Sequence, residues 1–306
     1  MARENTAVIN GIIAADPKIR VDKNGTPVAA GFMVYAVRRS SATKELLLNG
    51  SVYEDQLFVQ TKNPKIIKDL IIDQEIRSGD YITIKGTLST LNTVRKFKCP
   101  KCGHINVKDR AVTIYIDPIF IHVNERLREK LTEDIVKKIK SENPGIDDVE
   151  LSRKTKEELY RKYIEFLTDV NEISNMFFEF GVVTTELSFY QRENGMSTCD
   201  FQIASERARR IVEDGPDKTA DFPWVRAYNQ TAVDASKYIR KGSVIFIDGA
   251  IETKKHSQRV ECEQCGAPVE KNILSTYIVP YRIEYIEDWN KPEESEGGDA
   301  DEKSAE

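Results

Sequence analysis

Two segments of the chain, 163 residues apart, carry the same pattern, and this duplication constrains the possible folds more than any other feature. At this fixed offset the second segment repeats glycines, a CxxCG motif and a threonine. The pairs are Gly79 and Gly242, Gly86 and Gly249, Cys99 and Cys262, Cys102 and Cys265, Gly103 and Gly266, and Thr113 and Thr276. Because so many positions share one offset, we expect two copies of one structural element.

The element order is the same in both repeats. In the first, strand patterns surround a Lys23–Gly25 turn, a helix follows Asn63-Pro64, and two strands complete the unit. In the second, an equivalent turn, Glu193–Gly195, precedes the same series of elements. Three strands, a helix and two strands are the order of an OB-fold barrel. The sequence therefore predicts an all-β fold with a helical insert: two five-stranded OB-fold barrels, with a CxxC hairpin between strands 4 and 5 of each.

A helical segment separates the repeats. Leu127, Leu131, Ile135 and Ile139 recur at helical spacing, and Thr155 with Glu158 forms a capping box ahead of a second helical pattern. Two interpretations stay open for this hairpin, a spacer that packs against a barrel and a partner-binding element. The predicted divisions are 1–123 (first barrel), 124–172 (helical linker), 173–286 (second barrel) and 287–306 (disordered acidic tail).

Composition excludes several classes of protein. Hydrophobic residues make up 40% of the chain, as in a globular protein, and no apolar run approaches the roughly 20 residues of a membrane-spanning helix. The first residues lack the pattern of a signal peptide, and the CxxC pairs favour metal binding over disulfides. We therefore expect a cytoplasmic protein that does not contact membranes.

The net charge of −5 divides unevenly. Residues 287–306 hold nine acidic residues and two lysines, a charge of −7, which leaves +2 for residues 1–286. A near-neutral or mildly basic body with an acidic tail differs from a uniformly acidic globule. The tail has almost no apolar residues after Trp289, so it is predicted to be disordered.

The second repeat resembles the bacterial-type single-stranded DNA-binding protein (SSB) family. In the run 229–249, five residues fit the family pattern and two, Asn229 and Val233, depart from it; those that fit are Ala232, Lys241, Gly242, Ser243 and Gly249. The first repeat fits more loosely, at Asp16-Pro17, Gly25–Val28 and Ser78–Asp80. Tandem fusion of two barrels and the CxxC insertions are departures, so assembly and wrapping mode do not carry over.

The resemblance implies single-stranded DNA binding, with Tyr228 at the position of a stacking aromatic. Family members also carry acidic tails that recruit replication and repair enzymes through a hydrophobic tip. This tail ends in Lys303–Glu306 without a proline-phenylalanine tip, so recruitment of replication or recombination proteins is a weaker expectation. With two barrels per chain, a homodimer could replace a four-barrel tetramer.

Residue alternation in 222–228 indicates a surface for stacking bases. Phe222, Trp224, Arg226 and Tyr228 fall on one face of a strand, and stacked bases contribute about 1–3 kcal/mol each. The alternative is that Phe222 and Trp224 face the core. In the first repeat the matching segment puts Thr61 where the second has Tyr228, and Phe58 inward, which leaves Tyr35 as the best stacking candidate. The second barrel is therefore predicted to dominate base stacking.

Basic residues near turns are candidates for phosphate contacts. In the first repeat they are Arg38, Arg39, Lys85, Arg95, Lys96 and Lys98; in the second they include Arg207, Arg209, Arg210, Lys237, Arg240, Lys241, Lys254, Lys255 and Arg259. Such contacts make affinity depend on salt, with a log–log slope of about −0.7 per neutralised phosphate.

The four paired cysteines predict a structural zinc site. Cys99 with Cys102, and Cys262 with Cys265, each form a knuckle that supplies two of the four ligands zinc requires. Three arrangements stay open: one shared site within the chain, a four-thiolate site between chains, and knuckles completed by His104 or His256. The fifth cysteine, Cys199, alternates with apolar residues and is predicted to be a buried small side chain.

No catalytic motif is present. The chain has three histidines, no phosphate-binding glycine loop and no GxSxG elbow. The sequence therefore predicts a protein that binds and protects single-stranded DNA in replication, recombination, or plasmid or phage DNA processing, and not an enzyme. The alternative is a zinc-stabilised scaffold or RNA-binding module in a replication or conjugation complex.

Overall fold

The computed structural model of the chain describes residues 4–39, 52–170, 174–206 and 220–288. Strands β1–β6 form the N-terminal half of the molecule. Their bounds are β1 Asn5–Ile13, β2 Lys18–Val21, β3 Pro27–Arg39, β4 Val52–Thr61, β5 Asp80–Lys98 and β6 Ile105–Arg126. A short helix α1, Pro64–Ile66, continues as a π-helical turn, Ile67–Ile72.

Strands β7–β13 form the C-terminal half. Their bounds are β7 Asn175–Val183, β8 Ser188–Gln191, β9 Ser197–Glu206, β10 Ala220–Asp221, β11 Trp224–Tyr228, β12 Ser243–Glu261 and β13 Pro268–Asp288. Helices α2, Leu127–Glu142, and α3, Asp148–Val170, lie between the halves, and α4, Asn229–Tyr238, follows β11. The predicted elements are all present, and the short strands β2, β8 and β10 were not predicted.

In each half, the pairings between strands form a closed circuit, because the last strand pairs with the first. In the N-terminal half β1 pairs with β3, β3 with β4, β4 in parallel with β6, β6 with β5, and β5 with β1. In the C-terminal half the same sequence of pairings runs through β7, β9, β11, β13 and β12. Buried aliphatic and aromatic side chains from alternate strand positions fill the interior of both halves.

The two halves meet through antiparallel pairing of β1 with β7. Ala7 pairs with Phe177, and Asn5 pairs with Glu179 while Ile9 pairs with Asn175, which is the pattern that a local twofold axis produces. The buried side-chain amides of Asn5 and Asn175 each donate one hydrogen bond to a backbone carbonyl and accept one from a backbone N–H, as a residue in a neighbouring strand does. Asn5 exchanges two hydrogen bonds with Leu88, of 3.0 and 2.7 Å, and Asn175 exchanges two with Ile251, of 2.8 and 3.0 Å.

Two long β-hairpins extend beyond the interiors, β5–β6 and β12–β13, and we call their outer parts, residues 90–113 and 253–276, the arms. Each arm begins against the opposite half of the molecule. Thr253 donates its N–H to Asp55 at 2.7 Å, and Thr90 donates its N–H to Asp221 at 2.6 Å. These reciprocal contacts follow the same local twofold axis, so each half holds the other's arm.

The recurring glycines have a steric reason. A Cβ at Gly86 would lie 2.5 Å from the carbonyl oxygen of Asp117, and a Cβ at Gly249 would lie 2.3 Å from that of Val279. The strand register also shifts at both positions, which marks a β-bulge. Only glycine fits where each hairpin bends out of its half.

Helices α2 and α3 pack against the N-terminal half. Leu127, Ile135, Ile139 and Leu159 join Ile12 of β1 in a separate hydrophobic cluster. This arrangement agrees with the spacer interpretation. None of the helices in the described part of the chain combines the length and apolar composition that crossing a lipid bilayer requires.

The predicted capping box is wrong. Helix α3 begins at Asp148, so Thr155 lies inside it and donates its hydroxyl to the carbonyl of Leu151. The helix is capped by Asp147, whose carboxylate accepts the N–H groups of Val149 and Glu150, both at 2.9 Å.

Candidate nucleic-acid face and metal centre

Strand β11 presents the predicted row of side chains away from the core. Trp224, Arg226 and Tyr228 are partly exposed, whereas Val225 and Ala227 between them are fully buried. Phe222 is 42% exposed but lies outside the strand, since β10 ends at Asp221 and Pro223 precedes Trp224. The alternative in which Phe222 and Trp224 face the interior is therefore wrong.

Arg226 is held within this face. Its guanidinium forms a bidentate ion pair with Asp200 on the neighbouring β9, at 2.7 and 2.5 Å, and lies 4.1 Å from the ring centroid of Tyr277. The Asp200 hydrogen bonds raise the pKa of Arg226 above its ordinary value. Because Asp200 offsets its charge, Arg226 presents a flat guanidinium surface more than a free cation.

Tyr228 and Arg38 belong to one network between the halves. The Tyr228 hydroxyl donates to Glu252 at 2.6 Å, the other oxygen of Glu252 accepts from Arg38 at 2.7 Å, and Arg38 also donates to Asp55 at 2.8 Å. Burial raises the pKa of Asp55 to about 6, although Arg38 opposes that shift. Arg38 is only 8% exposed, so the prediction that it contacts DNA phosphates does not fit its position.

The alignment of β4 with β11 differs by one residue from the alignment predicted from the sequence. Val59 pairs with Ile116 on β6 where Val225 pairs with Ile278 on β13, so Phe58 is equivalent to Trp224. Phe58 is half-exposed, and Thr61 is 2% exposed and faces the core. The inward orientation predicted for Phe58 is therefore wrong, because a slip of one residue reverses every side chain in a strand.

Tyr35 does not offer the open ring that was predicted. Its ring packs edge-on against Tyr160 of helix α3, with centroids 5.3 Å apart. Burial raises the pKa of Tyr35, in keeping with this cover. The helical hairpin thus occupies the side of β3 on which Tyr35 lies.

The predicted basic residues are dispersed. Lys85, Lys96 and Lys254 are exposed, but Lys85 lies on the sheet that joins the halves, next to Val8 and Phe120. The other two lie on the arms. Arg39 contributes backbone to β3, and its side chain, like all of Arg209, lies outside the described part of the chain.

The arm tips bring four cysteines together. The Sγ atoms of Cys99 and Cys265 are 3.7 Å apart, those of Cys102 and Cys262 are 3.6 Å apart, and all four lie within 4.8 Å of one another. Zinc with four thiolates at about 2.3 Å requires sulfur–sulfur separations of about 3.8 Å. The donor set and its spacing therefore fit a tetrahedral metal ion, and each knuckle contributes two ligands.

Backbone amides prepare the sulfurs to carry negative charge. The N–H groups of Cys102 and Lys101 donate to Cys99 and lower its pKa. Burial opposes ionisation of Cys262, yet donors from Cys265 and Gln264 hold its pKa at about 6. Gly103 and Gly266 make these turns possible, with φ of +73° and +67°. Neither predicted alternative ligand, His104 or His256, belongs to the cluster.

Contacts along the arms support the cysteine cluster. Asn106 accepts the N–H of Glu263 at 2.8 Å, and the Thr276 hydroxyl accepts the N–H of Ile114 at 3.0 Å. Arg95, predicted as a phosphate ligand, reaches Gln258 on the opposite arm at 3.4 Å. Cys199 lies apart in the core and is fully buried, as predicted.

The sequence patterns did not identify several outward residues of the two halves. They are Phe58, Tyr115, Tyr277, Tyr190, Lys18, Arg20 and Lys62. Alternation in β2 and β8 could have identified Lys18, Arg20 and Tyr190, had those four-residue strands been predicted.

Part of the chain is similar in sequence to a known protein family. Residues 174–268, which include β11 and the second knuckle, match the profile of the single-strand binding protein family. The match spans less than half of the chain, and no curated protein sequence matches the chain significantly.

Solved structures extend the likeness in fold to nearly the full length. A deletion mutant of the single-stranded DNA-binding protein from Thermus aquaticus aligns with a TM-score of 0.51 at 15% identity, covering 96% of this chain and 100% of that chain. The wild-type protein from the same organism aligns with a TM-score of 0.49 at 14% identity, covering 94% and 95%. The first of these alignments shows that this SSB shares its fold with the chain.

Proposed function

We propose that the chain binds and protects single-stranded DNA, using two OB-fold barrels formed by its N-terminal and C-terminal halves. The observation that supports this function most strongly is the outward row Trp224, Arg226 and Tyr228 within the residues that match the single-strand binding family. Planar side chains on an open strand surface stack bases of any identity, which suits binding without sequence preference.

Each member of the row has its own role in the proposal. Trp224 stacks a base with its half-exposed indole. Arg226, flattened between Asp200 and Tyr277, offers a second planar surface, and Tyr228 is held at a fixed angle by Glu252. Phe222 extends the row beyond the strand, and Lys254 on the adjacent arm offers a phosphate contact.

The match of residues 174–268 to the single-strand binding protein family supports a binding role without catalysis. We propose replication, recombination, or plasmid or phage DNA processing in the cytoplasm as its setting. The acidic tail, most of which lies outside the described residues, would compete with DNA for cationic surfaces or bind replication proteins.

A binding assay with three ligands tests the function. Anisotropy of a labelled oligo-dT is measured against a duplex of equal length and an oligo-U. The proposal predicts tight binding of oligo-dT that weakens with salt, and much weaker binding of the duplex. Binding of none of these ligands would favour the scaffold alternative, and preference for oligo-U would favour an RNA-binding module.

We propose further that the four-cysteine cluster holds one structural zinc ion within the chain. Four thiolates leave no open coordination position, so the ion would fix the angle between the arms and supply no reaction chemistry. The amide of His104 lowers the pKa of Cys102, but burial and hydrogen bonds with the neighbouring thiols raise it to about 12. A bound cation would favour the thiolate form at this position.

Metal content measured together with oligomer mass tests this site. We expect one zinc per chain, retained when the protein is diluted to monomer. Cys99→Ser removes a direct ligand and should cost at least about 100-fold in zinc affinity, the upper end of what loss of a ligand's hydrogen-bond partner costs. Cys199→Ser is the matched control and should keep the metal. Zinc lost on dilution would indicate a site between chains instead.

A second copy of the chain is the proposed partner for the sheet that joins the halves. Its outer surface carries the half-exposed rings of Phe178, Phe180 and Phe246, and Phe180 and Phe246 lie 4.9 Å apart. Lys85 and Asp248 occupy equivalent positions with opposite charge, so the surface is self-complementary in a twofold pair.

Light scattering tests the homodimer. Phe246→Glu should convert a dimer to a monomer without loss of secondary structure, while Phe189→Glu, an exposed ring on β8, should leave the dimer intact. A wild-type protein that is monomeric at all concentrations would refute this assembly.

A further inference from the structure

Glu252 of β12 connects the outward row of the C-terminal half with the N-terminal half. It pairs with Tyr277 on β13, and the ring of Tyr277 contacts the guanidinium of Arg226. One carboxylate oxygen of Glu252 accepts the hydroxyl of Tyr228 at 2.6 Å, and the other accepts an N–H of Arg38 at 2.7 Å. A single side chain therefore links an aromatic ring of one half to an arginine of the other.

Arg38 is fixed at its other end by Asp55. The Nε–H of Arg38 donates to one oxygen of Asp55 at 2.8 Å, and the other oxygen of Asp55 accepts the N–H of Thr253 at 2.7 Å. Thr253 follows Glu252 in β12, so the N-terminal half holds both the side chain of Glu252 and the backbone beside it. All three charged side chains are at most 10% exposed, and hydrogen bonds between charges are stronger in such an environment than in water.

The reverse connection is absent from the described part of the chain. Ser89 on β5 is equivalent to Glu252, and its buried hydroxyl has no hydrogen-bond partner among the described residues. Lys62 is equivalent to Tyr228, as the parallel pairings of β4 and β11 show. Among the described residues, the carboxylate link therefore serves an aromatic ring of the C-terminal half only.

We propose that Arg38 and Glu252 are positioning residues for DNA binding, through which the N-terminal half controls the affinity of the C-terminal half for a single strand. This inference rests on the proposed function, because Tyr228 enters it as a ring that stacks a base. A ring that is already fixed loses little freedom when a base stacks on it, whereas a free ring must be ordered during binding. Arg38 is buried, so it acts through Glu252 and offers no surface to a nucleotide.

The shape of the arginine side chain matters for this role. Asp55 and Glu252 are neighbouring buried carboxylates, and the charge of Glu252 contributes to the raised pKa of Asp55 while Arg38 opposes it. The planar guanidinium reaches both carboxylates at once, with a different nitrogen for each. A lysine would keep the charge, but its ammonium is a single point on a flexible stem and lacks this fork.

A double-mutant cycle tests the connection between Arg38 and the ring. Tyr228→Phe keeps the ring and removes the hydroxyl, and Arg38→Lys keeps the charge and removes the fork. Each should weaken binding of a short oligo-dT about 3- to 10-fold, the cost of ordering one free side chain. The double variant should bind as weakly as either single variant, because both changes break the same connection. Losses that multiply would show that Arg38 acts independently of Tyr228, and would overturn the inference.

Glu252→Gln gives a second route to the same result if Arg38→Lys does not fold. An amide has one acceptor oxygen where the carboxylate has two, so this variant cannot accept from both Tyr228 and Arg38. It should weaken binding by a similar factor and cause no further loss when combined with Tyr228→Phe. The matched control is Arg126→Lys, which changes another arginine that contacts a buried carboxylate, Asp80 at 3.2 Å, and should keep the wild-type affinity.

Failure of this inference differs from failure of the proposed function. If Arg38→Lys and Glu252→Gln bind oligo-dT as the wild type does, while Trp224→Ala weakens binding, the N-terminal half does not position the ring. If the wild type does not bind oligo-dT at all, the proposed function itself is overturned, and the positioning role with it.

Discussion

Where the C-terminal half carries the Arg226–Asp200 ion pair, the N-terminal half carries Gln60 opposite Gly31. On the short edge strand, the C-terminal half has Ser188 and Tyr190, and the N-terminal half has Lys18 and Arg20 at the equivalent positions. Backbone topology is the same in both halves, but the outward chemistry differs: aromatic and internally neutralised in one, cationic with two rings in the other.

This difference indicates a division of tasks on one repeated scaffold. Inward positions must fill similar interiors and therefore stay apolar in both halves, whereas outward positions are free to differ. Affinity from stacking would come mainly from the C-terminal half, and affinity from phosphate contacts mainly from the N-terminal half. The predictions below test the differences between the halves, beginning with the largest expected effect.

The reciprocal arm contacts differ at Arg38. The hydrogen bond from Thr253 to Asp55 is equivalent to the one from Thr90 to Asp221. The residues before the two threonines differ: Glu252, which forms an ion pair with Arg38, is equivalent to Ser89. Arg38→Ala would leave two buried carboxylates without a cation, so we expect the free energy of unfolding to fall by about 3–5 kcal/mol in urea titrations. A loss within 1 kcal/mol, as expected of an exposed residue such as Arg282, would show that the bridge is unimportant.

Glu179 is the ionisable counterpart of the apolar Ile9 at the junction between halves. Burial raises the pKa of Glu179 to about 8, so the folded protein keeps a proton that the unfolded chain releases above its ordinary pKa near 4.5. Stability from this group is therefore complete at low pH and is lost as the pH rises through 8, at about 1.4 kcal/mol per unit.

Unfolding of Glu179→Gln between pH 6 and 8 tests this assignment. The variant should lose most of that slope, because glutamine does not titrate. An unchanged slope would mean that another group causes the pH dependence.

Trp224 should matter more than its counterpart for short ligands. Trp224→Ala is expected to weaken binding of an 8-nucleotide oligo-dT about 10-fold. This is about 1.4 kcal/mol, within the range of about 1–3 kcal/mol for one stacked base. Phe58→Ala should have little effect on the same ligand. Equal losses in anisotropy titrations of the two variants would remove the proposed division between the halves.

Arg226 should have the smallest effect. Because Asp200 offsets its charge, Arg226→Gln is expected to weaken binding no more than about 3-fold and to leave the salt slope unchanged. The matched variant Asp200→Asn frees the guanidinium and should steepen the slope by about 0.7. A shallower slope in Arg226→Gln would show that Arg226 contacts a phosphate directly.

Much of the fold follows from local sequence patterns. The paired glycines recur because Gly86 and Gly249 leave no room for a Cβ, and the CxxCG turns recur because Gly103 and Gly266 require positive φ. Such constraints act within a few residues, so the sequence alone identifies them. The gathering of four cysteines was also one of the predicted arrangements, because a duplicated knuckle with two ligands each needs a partner.

Non-local packing explains the errors. The register of β4 depends on its parallel contact with β6, 57 residues away, and without that contact Phe58 was assigned to the wrong face. Tyr35 is covered by Tyr160 from a helix whose docking site the sequence does not specify. Arg38 is neutralised by Asp55 and by Glu252, 214 residues away. A basic residue near a turn looks the same in sequence whether it contacts solvent or a distant carboxylate.

The most direct test of the account is fluorescence of the indole at 224 during titration with oligo-dT, in a Trp289→Phe background that leaves Trp224 as the single tryptophan. Stacking on this ring predicts strong quenching that saturates, and an affinity that falls as salt is added. An emission that stays constant while anisotropy reports bound DNA would contradict the account, because the strand would then follow a path that avoids β11.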